Sequence, residues 1–228
     1  MKIQRKIRHC PPSRWLAICL VLAATLSMAG FKQNNNRTGE NDMLTEDLLQ
    51  PAQLPEEYLI TYEIESKSGR LIQITRGKDA DGRIYFNSPT EELLFVPSGG
   101  GYQMYYADID GNFIDLDQAV YTPKFVEETT QEFLQYAQKS SVRHSGTAKY
   151  TGDTQIAGRD CRVYEIRMKL SIFSQRYTFV IDNETGVCVE WKSAANIRGF
   201  DLTPGGNFTC IEFRTEDVRL PILDSTVL

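Results

Sequence analysis

With 228 residues and 41% hydrophobic content, the chain is long enough for one domain with a real core. Its formal net charge of −5 argues against a nucleic-acid or anionic-membrane surface partner. Eleven Tyr and 11 Phe favour strands over helices.

The N-terminus reads as a separate object. Lys2, Arg5, Lys6, Arg8 and Arg14 form a basic region, and Trp15 to Phe31 carries no charge. Ser27-Met28-Ala29 places small residues where a signal peptidase reads. Residues 1–29 are therefore a signal peptide or an N-terminal membrane anchor of minimal length. Removing them takes away five of the 25 basic residues and none of the 30 acidic ones, for a net charge of −10. A lipoprotein reading lacks its cysteine, because Ala29-Gly30 is followed by Phe31. The expected location is extracytoplasmic, either secreted or attached to the outer face of the cytoplasmic membrane. Residues 30–53 form a polar spacer rich in Asn, with a short helix expected over Leu44 to Leu54.

From Tyr58 the hydrophobic period becomes two. Tyr58, Ile60, Tyr62 and Ile64 alternate with Leu59, Thr61, Glu63 and Glu65. Turns at Ser68-Gly69, Asp79 to Gly82, Gly99 to Gly101 and Asp110-Gly111 separate further short strands, one of them ended by Pro97. Thr122-Pro123 then predicts a helix start. Glu127 and Glu128 suit its first turn. Phe125, Val126, Thr129, Phe133, Tyr136 and Ala137 fall on one face, and Lys139 lies in the last turn. Strands resume from Gly146, with turns at Ala157-Gly158 and Asn183 to Gly186, and Phe208 to Arg214 closes the set.

In the second half Tyr164, Ile166 and Met168 share a face, as do Tyr177, Phe179 and Ile181; Val187, Val189 and Trp191; and Ile211 and Phe213. Cys161, Glu165 and Arg167, Cys188, Glu190 and Lys192, and Cys210, Glu212 and Arg214 take the other, polar face. All three mature cysteines are thus expected on the outer face, as free thiols or with one disulfide. The fold class that follows is mainly β (α+β). It is a curved antiparallel sheet forming an unclosed β-barrel, wrapped around one main α-helix. Its domain spans 54–221, with a C-terminal tail at 222–228.

This order of elements resembles the LolA-type lipoprotein-carrier superfamily, and within it the germination-lipoprotein-like relatives of Gram-positive bacteria. Ile156-Ala157-Gly158-Arg159-Asp160-Cys161-Arg162-Val163-Tyr164 looks like the hairpin entry common there, and Phe179-Val180-Ile181-Asp182 with Thr185-Gly186-Val187 looks like its Asp-to-Gly hairpin. Asp and Gly in such motifs specify shape, not chemistry. The resemblance implies an envelope protein that accommodates a lipid, acyl chain or lipoprotein in its half-barrel. An adaptor or sensor that binds an envelope protein, for example a cell-wall enzyme, is the alternative. No functional residue of the carriers is carried over.

No catalytic residue, metal site or cofactor is expected, and the chain reads as not an enzyme. An unrecognised hydrolase is the remaining alternative. The single mature histidine, His144, follows the predicted helix in a loop. Asp108, Asp110, Asp115 and Asp117 lack the distal Glu of a calcium loop and read as a hairpin turn. The candidate lining of an apolar site is Tyr62, Ile74, Phe86, Met104, Tyr106, Phe133, Tyr164, Met168, Phe179 and Trp191, with plain core as the competing reading. Each methylene of an acyl chain buried there would contribute roughly 0.8 kcal/mol.

Overall fold

The structure is a computed structural model that describes residues 42–44, 52–66, 68–126, 147–170, 173–197, 200–202 and 207–223. The chain divides into two compact units, Met1–Asn36 and Arg37–Leu228, and only the second contains described residues. The signal or anchor segment, Phe133 and His144 lie outside them. So do residues 127–140, most of the expected helix.

Alternating apolar residues build two antiparallel blocks. The first comprises β2 (Tyr58–Glu65), β3 (Leu71–Lys78), β4 (Ile84–Asn87), β5 (Glu92–Ser98), β6 (Gly101–Ala107) and β7 (Phe113–Tyr121). The second comprises β8 (Thr147–Ile156), β9 (Arg159–Leu170), β10 (Phe173–Asp182), β11 (Cys188–Ile197), the short β12 (Phe200–Leu202) and β13 (Phe208–Arg214). A two-residue strand, β1 (Met43–Leu44), lies on β8. The sheet order is β1-β8-β9-β10-β11-β13-β2-β3-β4-β5-β6-β7, with β12 beside β11. β13 joins the blocks by pairing with β11 on one side and β2 on the other. The path does not close, and a sheet this wide curls. This is the expected unclosed curved sheet.

One face carries Tyr58, Ile60, Tyr62, Tyr164, Phe179, Trp191 and Phe208 in a single buried cluster. Its rings interlock: Tyr177 stacks on Trp191 at 6.2 Å, Trp191 on Phe208 at 6.3 Å, and Tyr62 meets Phe208 edge-on at 5.3 Å. The same face continues into Ile84, Leu93, Phe95 and Met104, where Val126 is fully buried. Val126 belongs to a helical turn at 123–126, which starts where the sequence predicts. There Thr122 caps: its Oγ1 accepts from Phe125 N at 3.3 Å and its carbonyl from Val126 N at 3.2 Å. Phe125 was expected beside Val126 on the covered stripe. Instead it is 44% exposed and stacks on Tyr121 at 5.0 Å, because adjacent helical positions point about 100° apart.

Three further expectations are corrected. Of the short helix expected over Leu44 to Leu54, Leu44 instead pairs with Thr147 at the edge of β8 and residues 52–54 have no regular structure, while 45–51 lie outside the described residues. Pro97 does not end its strand. It pairs with Tyr102, beyond the last β4–β5 pair, so its missing N–H breaks no ladder bond on the β4 side. The cysteines are not on the wet face. Cys161, Cys188 and Cys210 are 0%, 4% and 2% exposed, and none of the three is in a disulfide. Register shifts at Val180/Ile181 and at Cys210/Glu212 insert one residue each. The second reverses the alternation, so Cys210 shares burial with Phe213 while Ile211 is 46% exposed.

The opposite face of the first block is also covered. Tyr85, Leu94, Tyr105 and Phe113 pack with Val218 and Leu220 of the C-terminal segment. The approach is close: a Cβ on Gly77 would lie 2.8 Å from Leu59 Cδ1 and 2.9 Å from Leu220 Cδ2. Arg83 pins the segment by donating to the Pro221 carbonyl at 3.2 Å, and Asp79 holds Arg83 through Nε at 2.7 Å. Leu220→Ala should therefore destabilise the domain by about 2–4 kcal/mol, read from urea midpoints. Ile222→Ala, at an 82% exposed position, should leave those midpoints nearly unchanged.

Candidate functional site

At one end of the second block two turns meet. Asp182 ends β10 and is 2% exposed. Its carboxylate accepts Thr185 N at 2.8 Å and Thr185 Oγ1 at 2.6 Å, which shapes the Asn183 to Gly186 turn. It also receives Arg159 Nε and Nη2, both at 3.0 Å, a two-pronged ion pair from the β8–β9 hairpin. Arg159 reaches Glu184 at 2.7 Å and lies over the Phe213 ring at 4.8 Å. Gln53 N donates to the Thr185 carbonyl at 2.8 Å, tying in the segment before β2. Burial pushes the Asp182 carboxyl up, but Arg159 and Thr185 outweigh it and hold the group below its ordinary value.

Beside this junction lies a solvent-open depression of about 600 Å³. Tyr150, Asp153 and Gln155 of β8, Asp160 and Arg162 of β9, and Asn183 line it. Gln155 Nε2 donates to Asp160 Oδ1 at 2.6 Å, and burial pushes the Cys161 thiol beneath it up. The lining is mostly polar, unlike an acyl pocket.

The outer side of β8 borders the same depression. Ala157 and Gly158, at φ 51° and 76°, make the two-residue loop to β9. Such a loop makes Ile156 and Arg159 a hydrogen-bonded pair, and the register then gives the same to Thr154 with Cys161 and Gly152 with Val163. Asp160 accordingly turns the other way, its carbonyl accepting Asn183 N at 3.0 Å. Asp153 and Gln155 must then direct their backbone N–H and C=O outward. β1 covers only Thr147 and Ala148, and Asp42 Oδ1 accepts Tyr150 N at 3.0 Å. No strand among the described residues lies outside 151–156.

Among the described residues the lining candidates fall into two packed clusters. Tyr62, Tyr164, Phe179 and Trp191 are buried together, with Ile74 half-buried against them. Met104 is buried farther along, with Phe86 and Tyr106 packed at its cluster. Phe133 and the side chain of Met168 lie outside the described residues. Among the described residues three buried polar atoms on this side lack partners: Arg76 Nε, Trp191 Nε1 and Ser193 Oγ. The alternation could place Trp191 but gave no sign that Arg76, at 7% exposure over the Tyr58 ring, would be buried. The first part of the acidic run is a turn, with Asp108 Oδ1 accepting Asp110 N at 2.9 Å and Asn112 N at 2.8 Å, whereas Asp115 and Asp117 belong to β7. Among the described residues no group of His, Cys, Asp and Glu could hold a metal ion. The thiols of Cys161, Cys188 and Cys210 donate to the Arg159, Glu190 and Glu212 carbonyls, and burial pushes Cys210 up to about 12.

No family model matches the chain, and no curated protein matches it significantly. Among solved structures it is similar to the crystal structure of MucB, at 16% identity and a TM-score of 0.39 over 77% of this chain. Two others are MucB in complex with MucA(peri), at 15% identity, TM-score 0.34 and 75% of this chain, and the Pseudomonas aeruginosa MucA/MucB complex, at 15%, 0.35 and 76%. The chain spans only 59%, 53% and 55% of those chains respectively.

Asp182→Ala would leave Arg159 without its inner carboxylate and should cost about 3 kcal/mol. The wild-type contribution is fully present above the ordinary carboxylate pKa, because the folded value is the lower one. It is lost as pH falls through that folded value. Urea midpoints across the acid range should therefore drop less steeply in Asp182→Asn than in the wild type.

Proposed function

We propose that this chain is a non-catalytic, extracytoplasmic protein-binding module that engages an envelope protein at the outer edge of β8 and the depression beside it. One observation carries the reading: β8 is ten residues long, and among the described residues only its first two are covered by strand pairing on the outer side. The remaining outward backbone groups adjoin a polar depression, a combination suited to a polypeptide. Export is supported by the basic, uncharged and small-residue succession of residues 1–29.

A photo-crosslinking residue at Gln155 tests this in cells. It should give one protein adduct of defined mass, absent when the same residue replaces exposed Asp110. Equal adducts at both positions, or none at Gln155, would remove the basis for the reading.

A second reading, a lipid or lipoprotein acyl chain held in the half-barrel, is favoured by one observation. Arg76 Nε, Trp191 Nε1 and Ser193 Oγ are buried donors without acceptors. A ligand with an apolar body and a carbonyl or acidic head would satisfy them. Native mass spectrometry of protein purified from cells should then show a bound lipid that is lost in Trp191→Phe; an apo mass alone speaks against it.

A further inference from the structure

We infer that the open part of β8 takes up an extended, basic segment of the partner as an added strand; this rests on the protein-binding role proposed above. The edge already accepts a strand. Met43 and Leu44 pair antiparallel with Ala148 and Thr147, and Asp42 supplies an acceptor for Tyr150 N. In line with them, Asp153 and Gln155 direct N–H and C=O outward two residues apart, a repeat of about 6.8 Å. An extended backbone matches that repeat and a helix does not.

Charge selects among extended occupants. Asp153 on the edge strand and Asp160 on β9 behind it both line the depression beside the edge, with Arg162 as the base of the same lining. Gln155 leaves Asp160 one oxygen beyond the one it engages. A long Lys or Arg side chain on the segment could reach Asp153 at the edge and Asp160 one strand behind it. A second copy of this chain is a poorer occupant in the register centred on Asp153, where antiparallel self-pairing sets the Asp153 side chains of both copies opposite one another. The same carboxylates thus discourage self-association and favour a basic guest.

The test uses protein purified from cells and a short acetylated, amidated peptide alternating Lys and Val, with its Glu/Val counterpart as control. The Lys/Val peptide should slow amide hydrogen exchange at Asp153 and Gln155 and bind at least about tenfold more tightly than the Glu/Val peptide. Gln155→Pro deletes an outward N–H while sparing the β8–β9 ladder. It should abolish the protection with a shift of only a few degrees in thermal midpoint, whereas Gln155→Ala should retain it. Should Gln155→Pro fail to fold, the double variant Asp153→Lys with Asp160→Lys decides, because it should reverse the peptide preference. Protection elsewhere, unchanged binding to folded Gln155→Pro, or unreversed preference would overturn strand addition. A protein adduct at Gln155 with no peptide protection would sink this inference alone; loss of both would sink the protein-binding role with it.

Discussion

The end of the second block depends on one buried ion pair. Asp182 satisfies its own turn through Thr185 and at the same time receives both prongs of Arg159 from the neighbouring hairpin. Two hairpin tips that share no sequence are thereby held in one arrangement. Arg159 extends the junction to Phe213 on β13, and Gln53 fastens the approach to β2 through the Thr185 carbonyl. The strands that join the two blocks are thus tied to the turns that border the polar depression. A carboxylate so deeply buried is tolerable only because every oxygen has a donor.

The sheet is used on both sides, but unequally. Over β2 to β6 one side receives Val126 and the other receives Val218 and Leu220. This makes the first block a three-layered structure rather than a sheet with one wet face. In the second block the inner rings stack on one another, leaving Trp191 Nε1 and Ser193 Oγ as buried groups without partners. Apolar packing there is close, while polar satisfaction is incomplete. Polar side chains, Asp153 and Asp160 among them, line the depression beside the β8 edge.

Much of the strand pattern was legible in the sequence, because alternation and glycine turns are local signals. Tyr58 to Ile64, the Asp79 to Gly82 turn and the Asp182 to Gly186 turn need no distant information. What escaped was non-local. The bulge at Ile211 has no marker, since an isoleucine is as apolar as the inward neighbours it interrupts, and one inserted residue moved Cys210 to the buried side. Val218 and Leu220 lie in a segment with no period, so nothing in the chain announced a cover for Tyr85 and Leu94. That no described strand lies outside residues 151–156 of β8 was equally hidden. Whether a strand is central or terminal is a fact of topology, and Thr151 to Ile156 would read the same in either place. The aromatic candidates illustrate the converse: alternation placed Tyr62, Phe179 and Trp191 together on the inner face, but could not say that their rings would fill one another's space.

The three concealed thiols bear on how the molecule matures. Each is capped by a carbonyl on its own strand and shut away from solvent, so a completed fold offers oxidants no sulphur among Cys161, Cys188 and Cys210. An unfolded copy offers all three. In oxidising surroundings, the protection of these three sulphurs would therefore be set by how quickly the chain closes over them. Alkylation of the same sulphurs would consequently serve as a clock for spontaneous opening of the domain.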